Sequence, residues 1–314
     1  MNLPKEAPDN KSFAGSHHDR IELLPVSLLD ENREKVAELK KLAHSIGLEF
    51  GWHYLLDLIW ILQNLDHIAG CKILDAGAGT GILQWFLSEN GADVISVDRM
   101  SRASLPLRFR RRFNTYGLRN SDLMPNREAF WQGFKRSVCG SLCRRWIKKI
   151  LIQARDLFGY IKNPRSSGHV WIYNQDLSEL IDIQDDSMDA VVSLSALEHN
   201  APDHLQKVVD ELLRILKPGG KLLTTLTAAK NQDWWHSPSS GWCYSEHSIK
   251  SYFRMPPETP SNFNQYDQLL VELINCSELR NNLASFYFKS DNKGMPGGVW
   301  DPQYLPVGIQ KTKS

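Results

Sequence analysis

The stretch Lys72-Ile73-Leu74-Asp75-Ala76-Gly77-Ala78-Gly79-Thr80-Gly81 decides the fold. A short apolar strand over residues 71–74 ends in an acid, turns through three alternating glycines and continues into a helix predicted over residues 82–90. A strand that leads through such a turn into a helix places backbone N–H groups around whatever lies in the turn. Glycine is needed there because a Cβ would block positive φ angles and the close approach of a ligand.

The spacing of the glycines distinguishes two classes of ligand. The dinucleotide fingerprint G-x-G-x-x-G requires a third glycine where this chain has Ile82, so that fingerprint is absent. The next predicted strand, residues 93–97, is followed by Asp98, 17 positions after Gly81. An acid at that distance is placed to accept hydrogen bonds from ribose hydroxyls. The pattern therefore predicts a nucleoside site of another class.

Strands and helices alternate through much of the remaining chain. Further strands are predicted at residues 169–173, 188–194, 221–226, 283–289 and 306–311, with a helix over 203–216. Alternation of this kind predicts an α/β fold with a doubly wound, mostly parallel seven-stranded sheet. Residues 1–70 are predicted to form an N-terminal tail and helical cap, and residues 71–314 the main domain, with a basic helical insertion at 100–168.

Composition is that of a soluble globular protein, with 314 residues, 23% of them charged and 42% hydrophobic. Residues 1–20 lack the apolar core of a signal peptide. The most apolar run, residues 54–65, is too short to span a bilayer. The five cysteines form neither a CxxC pair nor a dense disulfide framework. We therefore expect a cytoplasmic location.

Basic residues are concentrated in one segment. Residues 99–165 contain 17 basic and 3 acidic residues, a net charge of +14, while the rest of the chain has 20 basic and 33 acidic residues, or −13. Residues 139–161 show the spacing of a basic amphipathic helix. Three interpretations remain open: a nucleic-acid surface, a surface that docks on an anionic membrane, and a lid over a small acceptor that packs against the acidic remainder.

Several stretches taken together resemble the class I S-adenosylmethionine (SAM) dependent methyltransferases, of the small-molecule, type 11-like kind. They are the 75–81 turn, Asp98, Asp176-Leu177, Leu197-Glu198-His199 and Leu216-Lys217-Pro218-Gly219-Gly220. The resemblance covers residues 71–99 and 170–228. It implies SAM as cofactor, with the following residues near it: Gly77, Gly79 and Gly81 at the amino-acid portion, Asp75 near the ammonium, Asp98 at the ribose, and Asp176 and Leu177 at the adenine.

His199 follows a predicted strand, at the sheet edge where open α/β proteins bind ligands. A hydroxyl acceptor must lose its proton, and histidine is the usual base, so His199 is predicted to contact the acceptor or act as base. Some relatives bind a metal through Glu-x-x-Glu-His, but here Ser195 replaces the first acid, so no metal is predicted. The loop with His236, Tyr244, Glu246 and His247 is expected to border the acceptor pocket.

These features predict methyl transfer from SAM to a small-molecule or lipid-linked acceptor, at oxygen, by a cytoplasmic enzyme that can bind peripherally to a membrane. An RNA methyltransferase that uses the basic insertion is less favoured, because the Asn/Asp-Pro-Pro-Tyr signature and a Pro-Cys nucleophile are absent from the sequence. A SAM-binding interaction protein without catalysis is the remaining alternative. Neither the acceptor nor the oligomeric state follows from the sequence.

Overall fold

The computed structural model describes residues 19–138, 154, 166–288, 295 and 298–314. Ten strands of these residues form one sheet. They are β1 (Arg20–Leu23), β2 (Lys72–Ala76), β3 (Asp93–Asp98), β4 (Thr115–Gly117), β5 (His169–Asn174), β6 (Met188–Leu194), β7 (Leu216–Ala228), β8 (Trp234–His236), β9 (Gly241–Tyr244) and β10 (Leu305–Thr312). Their order is β1-β10-β7-β6-β2-β3-β5-β4, with β9 beside β7 and β8 beside β9.

Most of the strand pairs are parallel. β2 pairs in parallel with both β3 and β6, so the strand order reverses direction at β2. Antiparallel pairing occurs where β10 lies between β7 and β1, and within the β8–β9 hairpin. The α/β class with a doubly wound, mostly parallel sheet is thus confirmed. In such sheets the ligand crevice lies beyond the carboxyl ends of the strands at the reversal point.

Ten α-helices are described, and they precede, connect and follow the strands. They are α1 (Ser27–Glu31), α2 (Arg33–Ile46), α3 (Tyr54–Asn64), α4 (Leu83–Glu89), α5 (Leu107–Arg112), α6 (Asn126–Val138), α7 (Pro202–Ile215), α8 (Glu246–Tyr252), α9 (Tyr266–Ile274) and α10 (Ser277–Asn281). α4 connects β2 to β3, and α7 connects β6 to β7. Among the described residues, no helix has the length and apolar character needed to cross a membrane.

Six of the seven predicted strands are present, and the seventh is wrong. Residues 283–289 were expected to be extended, but a 3-10 helix, Ser285–Phe288, lies there. The sheet gains β1, β4, β8 and β9 instead, each only three or four residues long. The basic insertion contributes α5, β4 and α6. Its predicted amphipathic helix, residues 139–161, lies outside the described residues except for position 154.

Helix α3 packs on the sheet through an aromatic side chain that needs a glycine beneath it. The buried Trp60 indole lies against β10, and its Nε1–H donates to Glu22 Oε2 of β1 at 2.8 Å. A Cβ on Gly308 of β10 would stand 2.3 to 2.6 Å from three indole carbons. No side chain fits at that separation, so Gly308 allows α3 to approach the sheet.

Replacing Gly308 with alanine should therefore lower the free energy of unfolding by about 1–3 kcal/mol, the usual cost of overpacking a core. Urea denaturation measures this change. The cost should shrink in a Trp60→Leu background, because the smaller side chain leaves room for the added methyl group. An equal cost in both backgrounds would show that the indole contact is not the cause.

Candidate functional site

The glycine turn joins β2 to α4 in a conformation that glycine favours. Gly77 has φ +72° and Gly79 has φ +48°, both in the left-handed region. Ala78 between them donates its N–H to the carbonyl of Val97 at 3.0 Å, which fixes the turn to β3. A Cβ on Gly77 would stand 2.4 Å from the Cβ of Ala196, in the loop after β6. The turn therefore lies directly against that loop.

Asp98 lies over the same turn. Its Oδ2 accepts the Gly79 N–H at 2.8 Å, and its Oδ1 accepts the Met100 N–H at 2.8 Å. A Cβ on Gly79 would stand 3.7 Å from the same Oδ2. The structure thus brings the glycines and Asp98 to one crevice at the carboxyl ends of β2 and β3, as expected from the sequence. A carboxylate at this edge suits a ligand that carries hydroxyl groups.

Asp75, the acid that precedes the glycines of the turn, has only 2% of its surface exposed. Burial raises its pKa to about 7, and nearby Asp98 adds to the increase. The Arg102 guanidinium and a hydrogen bond from the Gln84 main chain favour the ionised form, but only in part. A carboxyl group in this state gains most from a cation placed beside it. Its chemistry therefore fits the ammonium that the resemblance implies.

Arg102 is a part of the site that sequence reasoning missed, because it counted only as one charge of the basic insertion. Its guanidinium is buried, and it donates to the Gly79 carbonyl at 3.1 Å and to the Tyr173 carbonyl at 3.2 Å. It also bonds to the main-chain and side-chain oxygens of Ser96. Arg102 thus connects the glycine turn to β3 and β5, and desolvation lowers its pKa.

Asp176 and Leu177 follow β5, the neighbour of β3. The Gln175 N–H donates to the Asp98 carbonyl at 3.0 Å, so this loop adjoins the end of β3. Asp176 Oδ1 accepts the N–H and the hydroxyl of Ser178 at 2.9 and 2.7 Å. Leu177 is partly buried against the core. The structure brings Asp176 to the sheet edge next to Asp98, and a role for it at the adenine stays a prediction.

His199 ends a 3-10 helix, Leu197–His199, just beyond β6. Its side chain is exposed, and Nδ1 lies 2.8 Å from the Ser240 carbonyl. A carbonyl only accepts, so Nδ1 carries the proton in the neutral ring and Nε2 keeps its lone pair. Within the described residues, no group of three or more His, Cys, Asp and Glu side chains is arranged to hold a metal ion.

The β8–β9 hairpin packs against this 3-10 helix. A Cβ on Gly241 would stand 3.1 Å from Glu198 Cγ and 3.5 Å from two atoms of the His199 ring. His236 is buried with its ring centroid 5.1 Å from that of Tyr304, and burial lowers its pKa. Of the other loop residues predicted to border the acceptor, Tyr244 is buried, Glu246 is half-buried and His247 is exposed.

A second polar group near the turn was also missed. His53 and Asp57 form a buried pair at the start of α3, and Ser195 bonds to Asp57. The sequence does contain a signal, an acid in an otherwise apolar helix, four residues after a histidine. Only the fold reveals that the pair meets the loop after β6.

A cavity of about 410 Å³ borders the segment that carries His53. Gly51, Trp52 and Leu55 line one side of it, and Leu279 and Ala284 line another. Small-molecule pockets commonly have volumes of about 300 to 1,000 Å³. The cavity is therefore large enough for a compact organic group.

Several solved structures align with most of the chain. A protein assigned as a sarcosine dimethylglycine methyltransferase from Galdieria sulphuraria is 16% identical, with 88% of this chain and 98% of that chain covered and a TM-score of 0.46. The 4+2 cyclase SpnF is 13% identical, with 94% of this chain and 99% of that chain covered and a TM-score of 0.44. The magnesium protoporphyrin IX methyltransferase of Synechocystis PCC 6803, solved with bound SAM, is 12% identical, with 89% of this chain and 84% of that chain covered and a TM-score of 0.35. Likeness at these values says nothing about activity.

The comparison by sequence family is decisive for the class. No curated protein matches the chain. A family model described as a methyltransferase domain matches residues 53–255, more than half of the chain. That span contains the glycine turn, Asp98, Asp176 and His199. The chain therefore belongs to the methyltransferase-domain family, within the class I SAM-dependent methyltransferases, and SAM is its cofactor.

Proposed function

We propose that this protein transfers the methyl group of SAM to an oxygen atom of a small-molecule or lipid-linked acceptor. The observation that carries the proposal is the contact between Gly77 of the turn and Ala196 of the loop after β6. That contact brings the glycine turn beside the loop that carries Glu198 and His199. Cofactor and acceptor groups would thus meet at the reversal point of the sheet.

The cofactor would lie along the edge from β2 to β5. The turn with Gly77, Gly79 and Gly81 would hold its amino-acid portion, with Asp75 beside the ammonium. Asp98 would accept hydrogen bonds from the ribose. Asp176 would receive the adenine amino group, next to the main chain of Leu177. Support comes from the buried, incompletely compensated carboxyl of Asp75 and from the position of Asp98 over the turn.

The bound sulfonium supplies an activated methyl group, so the protein has to align the acceptor and exclude water. His199 would contact the acceptor. Its side chain is exposed, and the bond to the Ser240 carbonyl is made by Nδ1 and not by Nε2. A neutral hydroxyl acceptor would also need a base to take up its proton.

The basic insertion would dock the enzyme on an anionic membrane when the acceptor is lipid-linked. Not all its charge is available, because Arg102 and Arg110 are buried and donate to main-chain carbonyls. Arg112 pairs with Glu89, and Arg119 with Asp122. Pairing of this kind leaves less free basic surface than the sequence implies, for a membrane as well as for nucleic acid. We propose a cytoplasmic enzyme that binds membranes peripherally.

Incubation with methyl-labelled SAM and fractionated cell extract tests the function. We expect label in the small-molecule or lipid fraction, and co-sedimentation with anionic but not neutral liposomes if that fraction is lipid. Label lost on nuclease treatment would instead identify an RNA methyltransferase. Tight binding of S-adenosylhomocysteine (SAH) with no transfer to any fraction would identify a binding protein without catalysis.

A further inference from the structure

His53 and Asp57 lie one helical turn apart at the start of α3. His53 Nδ1 is 2.6 Å from Asp57 Oδ2, and their exposed fractions are 4% and 0%. A carboxylate accepts, so the neutral ring carries its proton on Nδ1 and keeps the Nε2 lone pair. Asp57 therefore holds His53 in the tautomer that can take a proton at Nε2, the arrangement by which an acid positions a histidine base.

Burying the polar groups of this pair is unfavourable for the stability of the fold. Asp57 interrupts the apolar face of α3, and its Oδ1 is buried without a hydrogen-bond partner among the described residues. The same is true of Oε2 of Glu198, a side chain 3% exposed. Burial raises the Glu198 pKa, although His199 and His53 oppose the shift. Unpaired buried oxygens are rare in native proteins and call for an explanation such as a ligand or a catalytic role.

Ser195 connects the His53–Asp57 pair to the glycine turn. Its hydroxyl donates to Asp57 Oδ2 at 3.2 Å, and its φ of +45° is a strained value for a serine. Its N–H donates to the carbonyl and hydroxyl oxygens of Thr225, both at 3.2 Å, which holds it in place. The next residue, Ala196, is the one against Gly77. Strain of this kind concentrates at functional sites.

We propose that His53 is the general base of the methyl transfer, that Asp57 positions it, and that the acceptor presents a hydroxyl group to Nε2 of His53. The inference rests on the proposed function and adds the proton acceptor to it. As the acceptor oxygen forms its bond to the methyl carbon, the carbon–sulfur bond breaks and its electron pair stays on sulfur. The hydroxyl proton passes to Nε2 and later to solvent, so atoms and charge balance.

The geometry favours His53 over His199 as the base. His199 is exposed and held by a neutral carbonyl, which stabilises an imidazolium less than a carboxylate does. His53 is buried and held by a carboxylate, and the ring centroids of Tyr304 and Trp52 lie 5.9 and 4.5 Å from its own. His199 then keeps its proposed role as an acceptor contact, and proton transfer occurs at His53.

The test measures transfer from labelled SAM into the extract fraction that accepts label, at saturating amounts of that fraction. His53→Gln should lower the single-turnover rate at least about a hundredfold, in the range of general-base contributions, while SAH affinity by calorimetry stays within about twofold. His199→Gln should mainly raise the amount of fraction needed for half-maximal rate. His44→Gln, an exposed histidine of α2, is the matched control and should transfer normally.

Asp57→Asn provides the second variant, and nuclear magnetic resonance of the ring nitrogens provides a readout besides activity. With SAH bound, the unchanged protein should show His53 protonated at Nδ1, whereas D57N should shift it towards the Nε2–H form and also slow transfer. A wild-type transfer rate in H53Q would overturn this inference alone. If H53Q fails to bind SAH, a wild-type transfer rate in D57N would do the same. No transfer by the unchanged protein would overturn the proposed function and this inference with it.

Discussion

Gly77→Ala is expected to weaken SAH binding between about tenfold and a hundredfold. The added Cβ would stand 2.4 Å from the Cβ of Ala196, so the turn and the loop after β6 would have to separate. Relief of such overpacking costs about 1–3 kcal/mol, and each 1.4 kcal/mol is a factor of ten in affinity. Isothermal titration calorimetry with SAH measures the change.

Gly70→Ala is the matched control for this substitution. Gly70 has φ +78°, close to the +72° of Gly77, but no atom lies within 4 Å of the position of its Cβ. Both variants carry the backbone strain of a left-handed alanine, and only G77A carries the clash. Ala196→Gly in the G77A background should recover much of the affinity. Equal losses in G70A and G77A would assign the effect to strain and contradict the contact.

SAH affinity is also expected to rise with pH up to about pH 7 and then level off. Burial raises the pKa of Asp75 to about 7, so below that value the ligand-free carboxyl is mostly protonated. If the ammonium of SAH pairs with the carboxylate, binding lowers that pKa and releases a proton. Affinity should then increase by up to about tenfold per pH unit between the bound and free pKa values.

Calorimetry between pH 5.5 and pH 8.5, a range of roughly three units around this pKa, tests the coupling. Asp75→Asn should bind SAH more weakly at neutral pH and show a flatter profile. The effect on the ligand-free fold has the opposite sign. Because the folded-state pKa is raised above 3.8, the contribution of Asp75 to stability falls as pH rises from about 4 to 7. A pH-independent affinity in the unchanged protein would exclude the ion pair.

The fold was predictable where local signals were strong. The strand before the glycine turn and those at 93–97, 169–173 and 188–194 are apolar runs bounded by turn residues, and all are present. Residues 283–289 are also apolar, but a short apolar run does not distinguish a strand from a helical turn. Tertiary packing determined the conformation of this segment, since its residues Ala284 and Tyr287 are buried in the core. Strands of three or four residues, such as β4 and β8, form through pairing that the sequence does not show.

The meeting of the glycine turn with Asp98 was predictable from the sequence, whereas the meeting of His53 and Asp57 with Ser195 was not. The glycine turn and Asp98 lie within one β-α-β unit, so their spacing along the chain determines their meeting in space. His53 and Asp57 are 138 or more residues from Ser195, and only the packing of α3 on the sheet brings them together. Arg102 was missed for a related reason. Its burial and its hydrogen bonds to β3 and β5 follow from the fold and cannot be read from its place in a basic segment.

The position of β10 between β7 and β1 affects how the protein can be dissected. The family match ends at residue 255, but β10 begins at Leu305, and its other neighbour comes from Arg20–Leu23. A recombinant fragment trimmed to residues 53–255 would keep the glycine turn and lose both strands. The long β7 would then be a bare, apolar edge open to pairing with other molecules. Aggregation of such a fragment would reflect the missing strands and not a defect in cofactor recognition.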